Sequence, residues 1–246
     1  MNRRVLPLII GSLLLPLGCG GNDGPTDLAV PLVLKPSEFC SDHPDAAIAT
    51  FEDANLEAAI RAALSVGAQE PLTCGLVSGL SVLDASSDGI ESLAGIQNLT
   101  SLRDLDLSFN SITDISALSG LTSLTDLGLT LNSISDISAL SGLTSLAGLE
   151  LSLNSISDIS ALSGLTSLQT LDLADNSITD ISALSGLTSL VGLGLNNNPN
   201  LTDIQPLLDN TGLGADDHVN LESTSVSCTD VAALQAKGVT VESDCP

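Results

Sequence analysis

Asp84, Asp104, Asp106, Asp126, Glu150 and Asp172 each occupy the sixth or eighth place of a 22-residue frame that starts at Val77 and restarts at Leu99, Leu121, Leu143 and Leu165. Ranked carboxylates could serve as acid–base pairs, ligate a cation, or attract a basic partner. Acid–base work needs a dry pocket that raises one carboxyl, and an open strand face supplies none. The remaining candidates for catalysis are sparse. His43 and His218 lie at opposite ends of the chain, and no Ser or Cys stands beside a base in a recurring arrangement. "GNDG" at 21–24 and the acidic ranks offer oxygen ligands, but EF-hand spacing is missing, so neither a metal site nor a cofactor is assigned. What remains is charge complementarity in a non-catalytic protein.

The whole chain shares that character. Thirty Asp and Glu stand against six Lys and Arg, a formal net charge of -24 over 246 residues. Such a field repels nucleic acid and opposes tight self-association, so a monomer is expected. A hydrophobic content of 43% is ample for one domain or one elongated array.

Five cysteines divide into one and four. "MNRRVLPLIIGSLLLPLGCGG" has a basic start, an apolar run from Val5 to Leu17 and small residues after it, the layout of a secretory signal. Its end resembles the lipobox of bacterial lipoproteins, with Gly18 and Cys19 in the family's places and Pro16 where Leu is usual. That resemblance makes Cys19 the lipidated first residue of the mature chain and its lipid the membrane anchor. Gly20 after it favours the outer membrane or cell surface. Plain secretion with an unmodified Cys19 is the other reading. The remaining four cysteines allow three pairings. In an elongated array the two ends cannot meet, which leaves Cys40–Cys74 and Cys228–Cys245, formed in an oxidising extracytoplasmic compartment. A single four-thiolate zinc site fails on the same distance.

The elements that hold the carboxylates follow from the frame. Within a unit, apolar residues fall at places 1, 4, 7, 9, 14, 17 and 20: Leu121, Leu124, Leu127, Leu129, Ile134, Ile137 and Leu140. The divergent first unit keeps the pattern with Val77, Leu80, Leu83, Ala85, Ile90, Leu93 and Ile96. Alternation at places 7 and 9 marks a short strand, and three-residue spacing at 14, 17 and 20 marks a tight helical turn. The fold class is therefore an α/β solenoid, a right-handed leucine-rich repeat coil with a concave parallel sheet and convex 3-10 segments. Asn110, Asn132, Asn154, Asn176 and Asn198, all at place 12, read as a structural ladder bonding bare backbone within and between coils. Asp114, Asp136, Asp158 and Asp180 read as caps of the convex turns.

The unit LxxLxxLxLxxNxIxDIxxLxx resembles the 22-residue repeat of the internalin family of bacterial surface proteins, from residue 77 to about 208. "FEDANLEAAIRAAL" resembles that family's helical cap: Leu56, Ala59, Ile60, Ala63 and Leu64 make one apolar face, with Gly67 as a stop. At the other end Val219 and Leu221 read as a last strand, followed by a short helix ending at Gly238. The expected organisation is a signal peptide over 1–18, a lipidated tether over 19–36, an N-terminal helical cap over 37–76, six repeats over 77–208 and a disulfide-stapled cap over 209–246. Host-cell invasion does not carry over with the resemblance, because the concave aromatics of invasive internalins are absent.

Variation among the units is uneven. "NSI(T/S)DISALSG" recurs almost unchanged from 110 to 186, whereas places 5 to 11 read "RDLDLSF", "TDLGLTL", "AGLELSL", "QTLDLAD" and "VGLGLNN". Neutral drift would mark exposed convex places equally. The varied places give an acidic trough interrupted by Gly128, Gly148, Gly192 and Gly194. Beside it Phe109, Leu131 and Leu153 form a strip that reads either as edge packing or as a docking surface. The functional expectation is a surface-anchored module that binds a protein or glycan ligand through this face. The alternative is a stiff structural or adhesive spacer of the cell envelope.

Overall fold

Each unit's strand is short because only places 7 and 9 face inward. The computed structural model describes residues 30–246, so the leader and Cys19 lie outside the described residues. The repeats supply β1 (Val82–Asp84), β2 (Asp104–Asp106), β3 (Asp126–Gly128), β4 (Gly148–Glu150), β5 (Thr170–Asp172) and β6 (Gly192–Gly194). With β7 (His218–Asn220) and β8 (Thr240–Glu242) they form one parallel sheet in strict chain order. Register is set by the repeat: Leu105 pairs with Leu127, and Leu127 with Leu149. A one-residue slip would turn this leucine row out to water.

The chain returns behind the sheet through 3-10 turns at Ser116–Leu118, Ser138–Gly142, Ser160–Gly164 and Ser182–Leu184. Here the three-residue spacing meets the i to i+3 bond: the Leu118 N–H donates to Ile115 O and the Leu121 N–H to Leu118 O, both at 2.9 Å. Leu99, Leu121, Leu143, Leu165 and Leu187 are fully buried, each covered by the coils above and below. A lone coil could not shield them, so stability is shared between neighbours.

The place-12 asparagines line the interior. Asn154 Nδ2 donates to Leu151 O of its own coil and Leu129 O of the preceding one, and its Oδ1 accepts from the Ile134 N–H at 3.0 Å. Asn110, Asn132, Asn176 and Asn198 repeat this arrangement. Strand exit and turn backbone, which lack sheet partners there, are satisfied by one side chain per coil.

Both ends are closed by different means. α1 (Ala54–Leu64) buries Leu56, Ala59 and Ile60. The structure departs from the expected face: Ala63 is exposed and Leu64 only half-buried. The helix stops at Ser65, in the left-handed region with φ 56°, rather than at Gly67. Asp53 caps α1 and also accepts from the Glu91 and Ser92 N–H groups, tying the cap to the first repeat. Asn98 stands where other units carry Gly120, Gly142, Gly164 or Gly186, and its amide holds the Cys40 N–H and Glu38 O of the N-terminal segment. Cys40 is bonded to Cys74, the first residue of α2 (Cys74–Val77).

At the C-terminal end the frame lengthens. Gly192 pairs with His218, 26 residues on, before the 22-residue step resumes from His218 to Thr240. The additional length accommodates α3 (Gln205–Asp209), whose C-terminal carbonyls are held by Lys237 Nζ through Leu207 O and Leu208 O at 3.0 Å. α4 (Cys228–Ala236) then leads into β8, a strand the sequence reading lacks, and Cys228–Cys245 closes the end.

Candidate functional site

Places 6 and 8 flank the buried middle residue of each strand, so their side chains leave the concave face together. Register then sets like charges side by side: Asp84 with Asp106, Asp104 with Asp126, and Glu150 with Asp172. Two carboxylates about 5 Å apart in water repel by ~0.8 kcal/mol. The central coils form an open trough of about 180 Å³ lined by Asp104, Asp106, Asp126, Gly128, Gly148, Glu150 and Thr170.

The six acids are not equivalent. Asp84, Asp106 and Asp172, all at place 8, turn back to accept the N–H two residues on, from Ser86, Ser108 and Ala174 at 2.9–3.1 Å. These are Asx turns that satisfy the backbone where the strand ends. The Ser86 hydroxyl, at 2.7 Å, and the Ser86 N–H hold the Asp84 carboxyl below the usual carboxylate range. Among the described residues, Asp104, Asp126 and Glu150 accept no hydrogen bond and face solvent. The division was readable in principle, since an Asp two residues before a strand-exit N–H is an Asx-turn signal.

The glycines answer to these carboxylates. A Cβ on Gly128 would stand 2.7 Å from Asp106 Oδ1, and one on Gly194 2.5 Å from Asp172 Oδ1. At these two pairs the carboxylate as placed occupies the space a side chain on the next strand would take, whereas Asp106 opposite the bent Asp84 shows that the turn itself admits one.

At the strand exit the N–H of place 11 donates to the place-10 carbonyl of the next coil, as from Phe109 to Thr130 and from Leu131 to Ser152. These bonds stack Phe109, Leu131 and Leu153 on consecutive coils. All three sit in the left-handed region, with φ of 60°, 54° and 56°, and expose 55%, 43% and 44% of their surface. A left-handed backbone costs a residue with a Cβ roughly 1–2 kcal/mol, less for Asp or Asn. Ser87, Asp175 and Asn197 hold the same place at the same φ in other coils. The strip is exposed rather than packed against an edge, and the turn does not require it.

The convex rank contrasts with this. Asp114, Asp136, Asp158, Asp180 and Asp203 each accept the N–H two residues on at 2.8 Å. Backbone and hydroxyl bonds from Ser116, Ser138 and Ser160 hold Asp114, Asp136 and Asp158 below the usual range. At Asp53 partial burial pushes the carboxyl up, but the N–H groups of Glu91, Ser92, Asn55 and Leu56 together outweigh it and leave it lowered. His218 lies on the concave face of β7, 3.3 Å from Glu242, whereas His43 belongs to the N-terminal segment.

Comparison with known proteins matches this geometry. Family models for leucine-rich repeats match residues 100–142 and 166–209 as paired copies, and 135–176 as a further repeat. An internalin of Listeria monocytogenes, InlF, superposes with a TM-score of 0.71 at 34% identity, over 78% of this chain and 56% of that one. This chain thus spans a little over half of InlF. Internalin C2 of the same organism gives 0.62 at 31% identity, over 78% of this chain and 94% of its own. The functional domain of L. monocytogenes InlJ, which includes a cysteine ladder, gives 0.62 at 26%, over 74% and 39%. No curated protein matches in sequence. Repeat length, sheet, helical cap and these likenesses agree, and the chain belongs to the internalin family of leucine-rich repeat proteins.

Proposed function

We propose that the chain is a non-catalytic recognition module that binds a protein ligand through its concave acidic face. The single observation behind this is the division of labour between the two exposed sides. The convex places repeat one bonded aspartate almost without change, while the concave places vary and leave Asp104, Asp126 and Glu150 without any internal bond. Carboxylates unused by the fold raise local repulsion, and a complementary partner relieves it. A glycan ligand is compatible with the same open face.

The two disulfides support a location outside a reducing cytoplasm. Anchoring by lipid on Cys19 belongs to the same proposal and rests on the lipobox resemblance. The near-identity of the convex coils favours a second reading, a stiff envelope spacer in which repeat number and anchoring matter and concave charge does not.

Capture of partners from envelope and secreted extracts tests the first reading against the second. Wild type is compared with a concave variant (D104N, D106N, D126N, E150Q, D172N) and a charge-matched convex variant (D114N, D136N, D158N, D180N, D203N). Asn keeps the Asx-turn acceptors, and circular dichroism checks folding. A partner retained by wild type and the convex variant but lost from the concave one supports recognition. Identical captures by all three support the spacer.

A further inference from the structure

Two features with separate physical origins coincide on the same three coils. On the outward places of the strands, the carboxylates without internal bonds are Asp104 on β2, Asp126 on β3 and Glu150 on β4, and the left-handed, exposed apolar residues are Phe109, Leu131 and Leu153 of those same coils. Flanking coils lack both at these places: their sixth places carry Val82, Thr170 and Gly192, their place-8 aspartates Asp84 and Asp172 are bound in Asx turns, as Asp106 is, and their eleventh places carry Ser87, Asp175 and Asn197. Neither the sheet nor the turn accounts for the coincidence, because coils without it fold to the same φ and the same pairing.

Charge and spacing identify the occupant. From the sixth to the eleventh place of one coil the backbone advances five residues, about 16 Å if extended. Three coils span roughly 10 Å along the sheet. A partner covering that area must present cations over the trough and a large apolar group at its exit rim. A lone metal ion does not fit the description: among the described residues no three His, Cys, Asp or Glu side chains converge on a metal site. A neutral glycan would leave the carboxylates uncompensated. An extended or helical basic peptide with one apolar flank satisfies both halves, since a helix with its side chains is about 10–12 Å across.

We infer that the ligand presents a basic, amphipathic protein segment that lies across β2 to β4, with its cations over Asp104, Asp126 and Glu150 and its apolar flank against Phe109, Leu131 and Leu153. The inference rests on the concave-face reading and specifies the chemistry of its partner. Exposed apolar residues held in an unfavourable backbone conformation are then contact anchors rather than packing residues.

Selection of a random peptide library on the full chain tests this, followed by titration of the selected peptides against two variants. One is F109N/L131N/L153N, chosen because Asn197 already occupies that place at φ 56°; its melting temperature should equal or exceed that of wild type. The other is D104N/D126N/E150Q. The expected peptides carry net positive charge and a large apolar residue, and lose roughly tenfold or more in affinity on either variant. Peptides without positive charge, or no selected peptides at all, overturn the inference. So do peptides lost only from the charge variant, which would leave the concave-face reading standing. Peptides that bind both variants as they bind wild type overturn both.

Discussion

Two ranks of exposed carboxylate run along this solenoid at the same 22-residue spacing, yet the fold uses one in full and the other only in part. On the convex side Asp114, Asp136, Asp158 and Asp180 each hold one backbone N–H, and the residue type never changes. On the concave side Asp, Glu, Gly and Thr alternate from strand to strand, and half of the acids hold nothing. Repetition tracks a bond made in coil after coil, and variation tracks one made in some coils and not in others. Exposure alone therefore does not mark a binding residue in a repeat protein; an exposed group that the fold does not use is the better marker.

The largest effects are expected where repetition is strictest. Asn176→Leu should lose about 3 kcal/mol in urea unfolding, because the Ile156 N–H and the carbonyls of Leu151 and Leu173 are left buried without partners. A cost near zero would mean that the inner ladder does not hold the coils together. Asp53→Ala should cost roughly 1–2 kcal/mol by freeing the cap of α1 and its tie to Glu91 and Ser92, with Asp53→Asn recovering part of it.

Smaller effects sharpen the contrast between the faces. Asp136→Ala should lower the melting temperature by less than either of these, and Asp136→Asn by less again, since the amide oxygen still accepts the Ser138 N–H. D104N/D126N/E150Q should leave the melting temperature unchanged or slightly raised at low ionic strength, with any gain vanishing in high salt. A loss equal to that of the convex substitution would erase the distinction between the ranks.

Acidity supplies a further check. The carboxyls of Asp53, Asp84, Asp114, Asp136 and Asp158 are lowered in the folded chain. Their contribution is fully present above the ordinary Asp value of about 3.9 and is lost as pH falls through the lowered folded values. Thermal melts from pH 6 downward should show that loss below about pH 4, and to a smaller degree in a D53N/D114N/D136N/D158N variant. An equal acid loss in that variant would assign the effect to other groups.

Much of this architecture is legible in the sequence. Apolar residues at seven fixed places per unit give the strands, the 3-10 turns and the core, and the cysteines at the two ends pair as an elongated array requires. The frame misled only where it was interrupted. Four additional residues between β6 and β7 interrupt the frame, so the spacing does not announce β8 even though it lies one regular step beyond β7. Ser65 ends α1 because the Val66 N–H can reach Arg61 O once Ser65 turns left-handed, and nothing in the residue type Ser announces that geometry.

The eleventh place was hidden for a related reason. Phe and Leu are poor left-handed residues, so their presence pointed away from the conformation they adopt. Residue types at a repeated spacing dictate the coil, its pitch, its inner ladders, the sign of its charge and, through an Asp two residues before a strand-exit N–H, the turns closed by Asp84, Asp106 and Asp172. Which apolar residues stay exposed is settled only when the coils stack. It depends on where the place-11 N–H of one coil meets the place-10 carbonyl of the next, a distance in space that no spacing along the chain contains.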